Sequence, residues 1–234
     1  MRQQGKRLTA ALLALLMLLV CLPVQVFAAA GWDGESVSEP SQLDGAYQIS
    51  TAEELCWFAR QVNDGAKINA ALTDDIDLNN QPWEAIGTTS NPFGGTFNGA
   101  GHEIQNLKID TSAANKGGLF GKNEGTIHNL KVSGSISGKG NTMGGIAAWN
   151  AGGTVEGCES AVTIENTKAN ANNIGGVIGQ NTLGGMVKNC LFSGSVTAAT
   201  GGQVGGIVGR NTSSFVSGCV NTGTVVGANN TLAT

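Results

Sequence analysis

The segment Gly175-Gly176-Val177-Ile178-Gly179-Gln180-Asn181 points to the fold of this chain, because words, that is short motifs, of the same pattern occur three more times. The other copies are Gly117–Asn123, Gly144–Asn150 and Gly205–Asn211. A short motif that recurs in this way is typical of a solenoid, in which each copy builds one turn and buries its apolar side chains against the neighbouring turns.

A second word, of four residues, recurs beside the first, and five copies of it can be aligned. Successive copies begin 23, 28, 32 and 29 residues apart, which corresponds to one turn plus loops of variable length. The copies are Ile104–Leu107, Ile127–Leu130, Val155–Cys158, Val187–Cys190 and Val216–Cys219.

The third position of this second word is always Asn or Gly, the residues that adopt the left-handed backbone conformation at least cost. One left-handed residue bends a strand, so that apolar residues three apart can both point inward. We therefore predict a corner at this position and a column of stacked core side chains at the next. The predicted corner is Asn106, Asn129, Gly157, Asn189 and Gly218, and the predicted column is Leu107, Leu130, Cys158, Cys190 and Cys219.

An apolar residue such as Ile136 or Ile164 follows the column residue by six positions and indicates one more strand. Three short strands per turn, closed by Gly and Asn corners, predict an all-β fold, a right-handed parallel β-helix of about five turns. The asparagine that ends each glycine-rich word would then stack on its equivalents and form a ladder of side-chain amides. The predicted ladder is Asn123, Asn150, Asn181 and Asn211.

The N-terminal part has a different organisation. Residues 1–28 carry basic residues, a long apolar run and small residues at a cleavage site, which predict a secretory signal peptide and export from the cytoplasm. Residues 29–45 are polar and predict a linker, and residues 46–82 predict a capping segment for the repeats that follow over 83–234.

The capping segment contains one predicted helix, over about residues 51–64. Ser50 is the expected N-cap, and Glu53 is expected to reach back to its amide in a capping box. Apolar residues then recur at helical spacing, and Asp64-Gly65 ends the helix.

Part of the glycine-rich word is a known signature. Gly118-Leu119-Phe120-Gly121 has the pattern Gly-Leu-any-Gly, Gly176–Gly179 and Gly206–Gly209 are near copies, and Ala148 departs from the closing glycine. In these residues the chain resembles the bacterial GLUG-motif repeat proteins, over about residues 46–230. The resemblance implies a secreted or surface-displayed β-solenoid of the kind found in adhesin-like proteins and beside some IgA-directed metallopeptidases. It implies no catalytic residue.

The motifs of metal sites are incomplete in this sequence. His102-Glu103 begins like a zinc-peptidase motif, but Asn106 stands where the second histidine is needed. The acidic run Asp75–Asn79 lacks the Gly and Glu that complete a calcium loop. We therefore predict neither a metal nor a cofactor. A formal charge of −4 also argues against a nucleic-acid partner, which requires a basic face.

Four of the five cysteines remain after signal cleavage. Three of them share the column that leucine occupies in earlier turns, where stacked side chains point in parallel rather than toward one another. We expect free buried thiols, Cys56 of the helix included, while export leaves a disulfide open as the alternative.

Trp149 occupies the position that is Lys122, Gln180 and Arg210 in the other turns. Such polar side chains are rarely buried, so this position is expected on the outer wall, where Trp149 would expose a large apolar face. With Lys122 and Arg210 it forms a candidate contact site for a sugar or an acidic partner. The alternative is that Trp149 lies over the loop 166–173 and fills a gap.

These observations predict a secreted or cell-surface module that acts in adhesion or ligand binding without catalysis. Its partner would be a glycan or a host or cell-surface protein, with no membrane span after signal cleavage. One alternative is a carbohydrate-active β-helix enzyme, either a polysaccharide lyase or a glycosidase. The acidic residues of this chain are scattered, which argues against the paired carboxylates of a glycosidase, but the base of a lyase can be a single Lys or Arg. The other is a structural stalk of a larger surface protein. The repeats end without a cap, which predicts that they continue beyond Thr234.

Overall fold

Each turn of the chain adds strands to the same few sheets. The computed structural model describes residues 31–170, 173–199 and 202–227, and the predicted signal peptide lies outside them. The first elements are β1 (Ser41–Leu43), β2 (Ala46–Ile49), α1 (Ala52–Asn63), β3 (Asn69–Leu72), β4 (Ile76–Asp77), β5 (Thr96–Asn98) and β6 (Glu103–Asp110).

Four turns with one order of elements follow. The first contains β7 (Lys116–Gly117), β8 (Phe120–Asn123), β9 (Thr126–His128) and β10 (Lys131–Gly138). The second contains β11 (Thr142–Gly144), β12 (Ala147–Ala151), β13 (Thr154–Glu156) and β14 (Glu159–Asn166). The third contains β15 (Asn173–Gly175), β16 (Ile178–Thr182), β17 (Met186–Lys188), β18 (Leu191–Phe192) and β19 (Ser195–Ala198). The fourth contains β20 (Val204–Gly205), β21 (Val208–Asn211), β22 (Phe215–Ser217), β23 (Val220–Asn221) and β24 (Thr224–Gly227).

The strands stack into four sheets that run along the solenoid. Sheet A has the order β1-β2-β3-β5-β9-β13-β17-β22, and sheet B begins β4-β6-β10-β14 and continues through β18 and β19 to β23 and β24. Sheet C is β8-β12-β16-β21, and sheet D is β7-β11-β15-β20. Except for the antiparallel pair β1–β2, the strands of each sheet pair in parallel. The fold is thus the predicted parallel β-solenoid of about five turns with one short helix.

Each of the last four turns contributes to four sheets rather than to the three predicted, because the glycine pair of the repeat is itself a corner. The chain bends between β11 and β12 at Gly144 and Gly145, and a β-carbon on Gly144 would collide with the carbonyl oxygen of Ala147. Gly175 and Gly205 are confined in the same way by the residue three positions on. This corner separates sheet D from sheet C.

The first copy of the four-residue word is not equivalent to the other four, which corrects the predicted alignment. Leu107 pairs with Gly134 of β10, so it lies within sheet B and not in the predicted column. At this place β6 has one residue more than β10, and Asn106, with a φ of 56°, forms the resulting β-bulge rather than a corner. Residues 99–102 form the corner that lies against Asn129. The bulge needs the same left-handed residue as a corner, and this shared need produced the false match.

The segment 31–45, expected to belong to a linker, packs on the solenoid instead. Trp32 is only 4% exposed, and its ring meets that of Trp83 edge-on with 5.9 Å between the centroids. β1 also pairs with β2, which continues sheet A. The segment is polar in composition, so its docking was not predicted. A single tryptophan nevertheless supplies a large apolar area to bury.

The helix is capped one residue later than predicted, and a first-turn carboxylate bonds the amide that precedes the N-cap. Thr51 is the N-cap, and the Glu54 amide donates to its Oγ1 atom over 3.3 Å. The carboxylate of Glu54, rather than that of Glu53, accepts a hydrogen bond of 2.7 Å from the Ser50 amide. In the described part of the chain, no helix combines the length and apolar content that a bilayer crossing requires.

Aromatic contacts join α1 to the solenoid core. The ring centroid of Phe58 lies 5.7 Å from that of Phe97 and 6.0 Å from that of Phe93. Both of these rings contact Phe120 of β8, and all four side chains are fully buried. Because β2 and β3 also extend sheet A, the predicted capping segment adds rungs to the solenoid as well as a helix.

Candidate functional site

Trp149 lies on the outer face of sheet C, in one column with three polar residues. It pairs in register with Lys122 of the preceding turn and Gln180 of the following turn, and Gln180 pairs with Arg210. The adjacent Asn150 is fully buried, whereas Trp149 is only partly buried. The structure therefore places the predicted contact residues Trp149, Lys122 and Arg210 on one wall.

A second column runs beside the first on sheet D. Lys116, Thr142 and Asn173 are paired in register on β7, β11 and β15. The Asn173 amide donates to Gln180 Oε1 over 3.5 Å, so the outer faces of sheets C and D converge across the glycine corner. We name this region the lysine–tryptophan corner, and it consists of Lys116, Lys122, Thr142, Trp149, Asn173 and Gln180.

Two lysine ammonium groups lie over the indole of Trp149. The Nζ atoms of Lys116 and Lys122 are 4.6 and 4.9 Å from the ring centroid. The indole N–H donates a hydrogen bond of 2.7 Å to the Thr182 hydroxyl. The ring therefore does not present the bare apolar face expected from the sequence. It holds two cations by interaction with its π-electrons, and so favours an acidic ligand over a neutral stacked one.

The positive charge of the corner is only partly neutralised. Lys122 forms an ion pair of 2.6 Å with Glu124, whose side chain is 42% exposed. Lys116 donates to the neutral hydroxyl of Thr89 over 2.8 Å and has no carboxylate partner within 4.0 Å among the described residues. Burial lowers the pKa of Lys116 below its usual range, and the neighbouring charge of Lys122 lowers it further. The corner thus holds an excess cation.

Lys116 was missed from the sequence because the repeats are irregular at this point. Thr142 and Asn173 precede their partners in sheet C by seven residues, whereas Lys116 precedes Lys122 by six. A regular alignment therefore puts Asn115 in the column. The signal that could have revealed Lys116 is its charge immediately before the glycine pair.

Arg210 closes the sheet C column in the last turn. It lies two strands from Trp149, is exposed, and donates from Nε to the Thr212 hydroxyl over 3.2 Å. Arg210 is thus a separate positive charge further along the same wall.

The predicted corner and ladder residues support the fold rather than a binding site. Asn129, Gly157, Asn189 and Gly218 have φ values of 53°, 61°, 52° and 64°, all in the left-handed region. Asn123, Asn150 and Asn181 are fully buried, and each donates from Nδ2 to the Oδ1 atom of the next asparagine, over 2.8, 2.8 and 2.9 Å, ending at Asn211. These asparagines link the turns and are not available to a ligand.

The cysteine column is also structural. Leu130, Cys158, Cys190 and Cys219 occupy equivalent places in successive turns, joined by main-chain hydrogen bonds of 2.8 to 2.9 Å beside them. The thiols of the last three are unpaired, as is that of Cys56. A hydrogen bond with Cys158, assisted by burial, raises the pKa of Cys190 to about 12. This thiol is therefore protonated at neutral pH.

Two shallow grooves lie along other corners. One, of about 460 Å³, follows the Asn–Gly corner and is lined by Asn98, Asn129, Lys131, Glu159 and Asn189, among others. The other, of about 340 Å³, follows glycines and the threonine column of sheet A. In the described ranges, no three His, Cys, Asp or Glu residues are grouped as a metal site would require.

Comparison with known proteins supports the repeat assignment. The chain carries the GLUG motif, since the family model described as "The GLUG motif" matches residues 170–197. A crystal structure of a "putative immunoglobulin A1 protease" from Bacteroides ovatus is similar in fold, with a TM-score of 0.57 and 23% sequence identity. That match covers 84% of this chain and 72% of the other. No curated protein matches the sequence.

Proposed function

We propose that this protein is a secreted or surface-displayed, non-enzymatic β-helix module that binds its ligand at the lysine–tryptophan corner. One observation carries the proposal: two ammonium groups converge on a partly buried indole on the outer wall, and one of them has no carboxylate partner among the described residues. Burying a cation without a counterion is unfavourable, so such an arrangement is more typical of a binding site than of a wall that only supports the fold.

The predicted signal peptide and the GLUG motif support export and display. The corner lies on a rigid wall, because β8, β12 and β16 are joined by the asparagine ladder beneath it. A rigid site loses little conformational freedom on binding, which suits an adhesion or ligand-binding module.

Binding of the mature protein to glycan arrays and to cell surfaces tests this proposal. We expect Trp149→Ala to abolish the binding observed, because it removes the group that holds both lysines. Phe215→Ala is the matched control: it removes another aromatic side chain, 66% exposed on sheet A and outside the corner, and binding should persist. Equal binding by Trp149→Ala and the unmodified protein would refute the assignment of the site.

The same preparations decide between binding and catalysis. We expect no reducing sugar or unsaturated product from a polysaccharide panel, and no cleavage of immunoglobulin A1. Cleavage of immunoglobulin A1 is included because the structurally similar Bacteroides ovatus protein is named for it. Turnover of any of these substrates would overturn the non-enzymatic proposal.

A further inference from the structure

The column of side chains on the outer face of sheet C carries positive charge at both of its ends. Lys116 and Lys122 lie at one end and Arg210 at the other, with Trp149 and Gln180 between them. Adjacent parallel strands are about 4.8 Å apart, so the column from Lys122 to Arg210 spans roughly 14 Å. The residues after signal cleavage are acidic in sum, with 17 acidic against 10 basic side chains. This cationic column is therefore a local exception.

Building on the proposed function, we infer that the ligand is a linear acidic polysaccharide that lies parallel to the solenoid axis. One of its carboxylate or sulfate groups binds Lys116 and Lys122, and a second, further along the chain, binds Arg210.

The charges at the first end favour an anionic group. Among the described residues, Lys116 has the neutral Thr89 hydroxyl as its acceptor and no carboxylate partner, and Lys122 has one exposed partner in Glu124. A ligand acid group placed between the ammonium groups would supply the missing counterion of Lys116. It would compete with the exposed Glu124 for Lys122, whose own side chain is only 13% exposed. Trp149 acts here as a positioning residue, because its ring holds both ammonium groups in place before the ligand arrives.

The middle of the column favours a sugar chain over an acidic peptide. β12 and β16 are hydrogen-bonded on both edges, so they offer no free row of main-chain groups with which a peptide strand could pair. Among the residues that the structure describes in the sheet C column, Trp149 and Gln180 lie between the charges and are partly buried. An indole and an amide suit the apolar faces and hydroxyl groups of sugars.

Direct binding measurements with matched polymers test the inference. Polygalacturonate oligosaccharides and their methyl esters share one backbone and differ in charge, and a chondroitin sulfate oligosaccharide tests sulfate in place of carboxylate. We expect one or both acidic glycans to bind, with an affinity that falls as salt rises, and the methyl ester to bind at least about tenfold more weakly.

Substitutions locate the two contacts. Lys116→Gln and Lys122→Gln should each weaken acidic binding about tenfold, whereas Lys108→Gln, on the exposed face of sheet B, should leave it unchanged. Arg210→Gln should weaken the binding of long oligosaccharides and leave that of disaccharides unchanged, because only long chains reach the last turn. Melting curves verify that each variant is folded.

The outcomes of these measurements distinguish failure of the acidic-polysaccharide inference from failure of the proposed binding function on which it rests. Binding of neutral glycans that depends on Trp149 would refute the acidic ligand and leave the site standing. The absence of any Trp149-dependent binding would refute both. Equal affinity for poly-glutamate and for the acidic glycans would refute a polysaccharide as the ligand. Equal loss of affinity for long and short oligosaccharides in Arg210→Gln would refute the proposed orientation of the ligand.

Discussion

The side-chain oxygen of Asn129 lies 2.9 Å from the point that a β-carbon on Gly157 would occupy. Asn189 has the same relationship with Gly218, at still closer range. Along this corner each asparagine therefore covers a glycine of the next turn. The choice between Asn and Gly depends on the preceding turn as well as on the left-handed backbone, which explains why the two alternate from Asn129 to Gly218.

Gly157→Ala should destabilise the protein more than an alanine at an open left-handed glycine. Gly184→Ala is the matched control, because its φ is 78° and no atom lies within 4 Å of its β-carbon position. The left-handed conformation should cost each variant about 1–2 kcal/mol in the free energy of unfolding, measured with urea, and Gly157→Ala should lose more through contact with Asn129. Asn129→Gly added to Gly157→Ala should recover that additional loss. Equal losses in the two single variants would contradict the proposed contact.

Asn150→Ala should be among the more damaging substitutions of the ladder. It removes hydrogen bonds to Asn123, Asn181 and the Gly153 carbonyl, and leaves buried amide groups without partners. We expect a loss of at least about 2 kcal/mol in thermal or urea unfolding. Asn211→Ala, at the exposed end of the ladder, is the control and should cost about 1 kcal/mol or less. A reversed order would show that the ladder does not stabilise the turns.

Glu54→Ala should weaken the start of α1 by about 0.5–1 kcal/mol, since it removes the acceptor of the Ser50 amide. Glu53→Ala is the control: it is adjacent, carries the same charge in the first turn and lacks that hydrogen bond among the described contacts. The two variants are compared by urea unfolding. Greater damage from Glu53→Ala would support the capping box expected from the sequence instead.

The four thiols of the described residues, Cys56, Cys158, Cys190 and Cys219, should titrate as free in denaturant and react slowly in the folded state. Thiolate is the reactive form, and Cys190, with its pKa raised to about 12, supplies almost none of it at pH 7. Its folded pKa exceeds the usual value of 9.0, so its contribution to stability is complete below pH 9 and decreases as the pH rises toward 12. Ellman titration of the folded protein at several pH values measures the thiol reactivity, and urea unfolding at the same pH values measures the stability. Two titratable thiols in denaturant would indicate a disulfide.

Lys122→Gln should raise the pKa of Lys116 toward 10.5. The charge of Lys122 is the second cause of the lowered value and burial is the first, so the shift should be partial. Carbon NMR of labelled lysine ε-positions measures it, with Lys108→Gln as the control. For the unmodified protein, acidic ligands should bind less tightly as the pH approaches 10.5, because Lys116 loses its proton below that value. An unchanged Lys116 pKa in Lys122→Gln would show that the two ammonium groups do not interact.

Repetition made the solenoid, the asparagine ladder and the Trp149 column predictable from the amino-acid order. Equivalent positions of a solenoid must share one environment, so Lys122, Gln180 and Arg210 were enough to place Trp149 on the outside. The true register of Asn106 and Leu107 was not predictable, since a bulge and a corner require the same left-handed residue. The docking of Trp32 and the approach of Lys116 to Trp149 depend on contacts between segments with irregular spacing. Local sequence carries no record of such contacts, because they arise only when the turns are packed against one another.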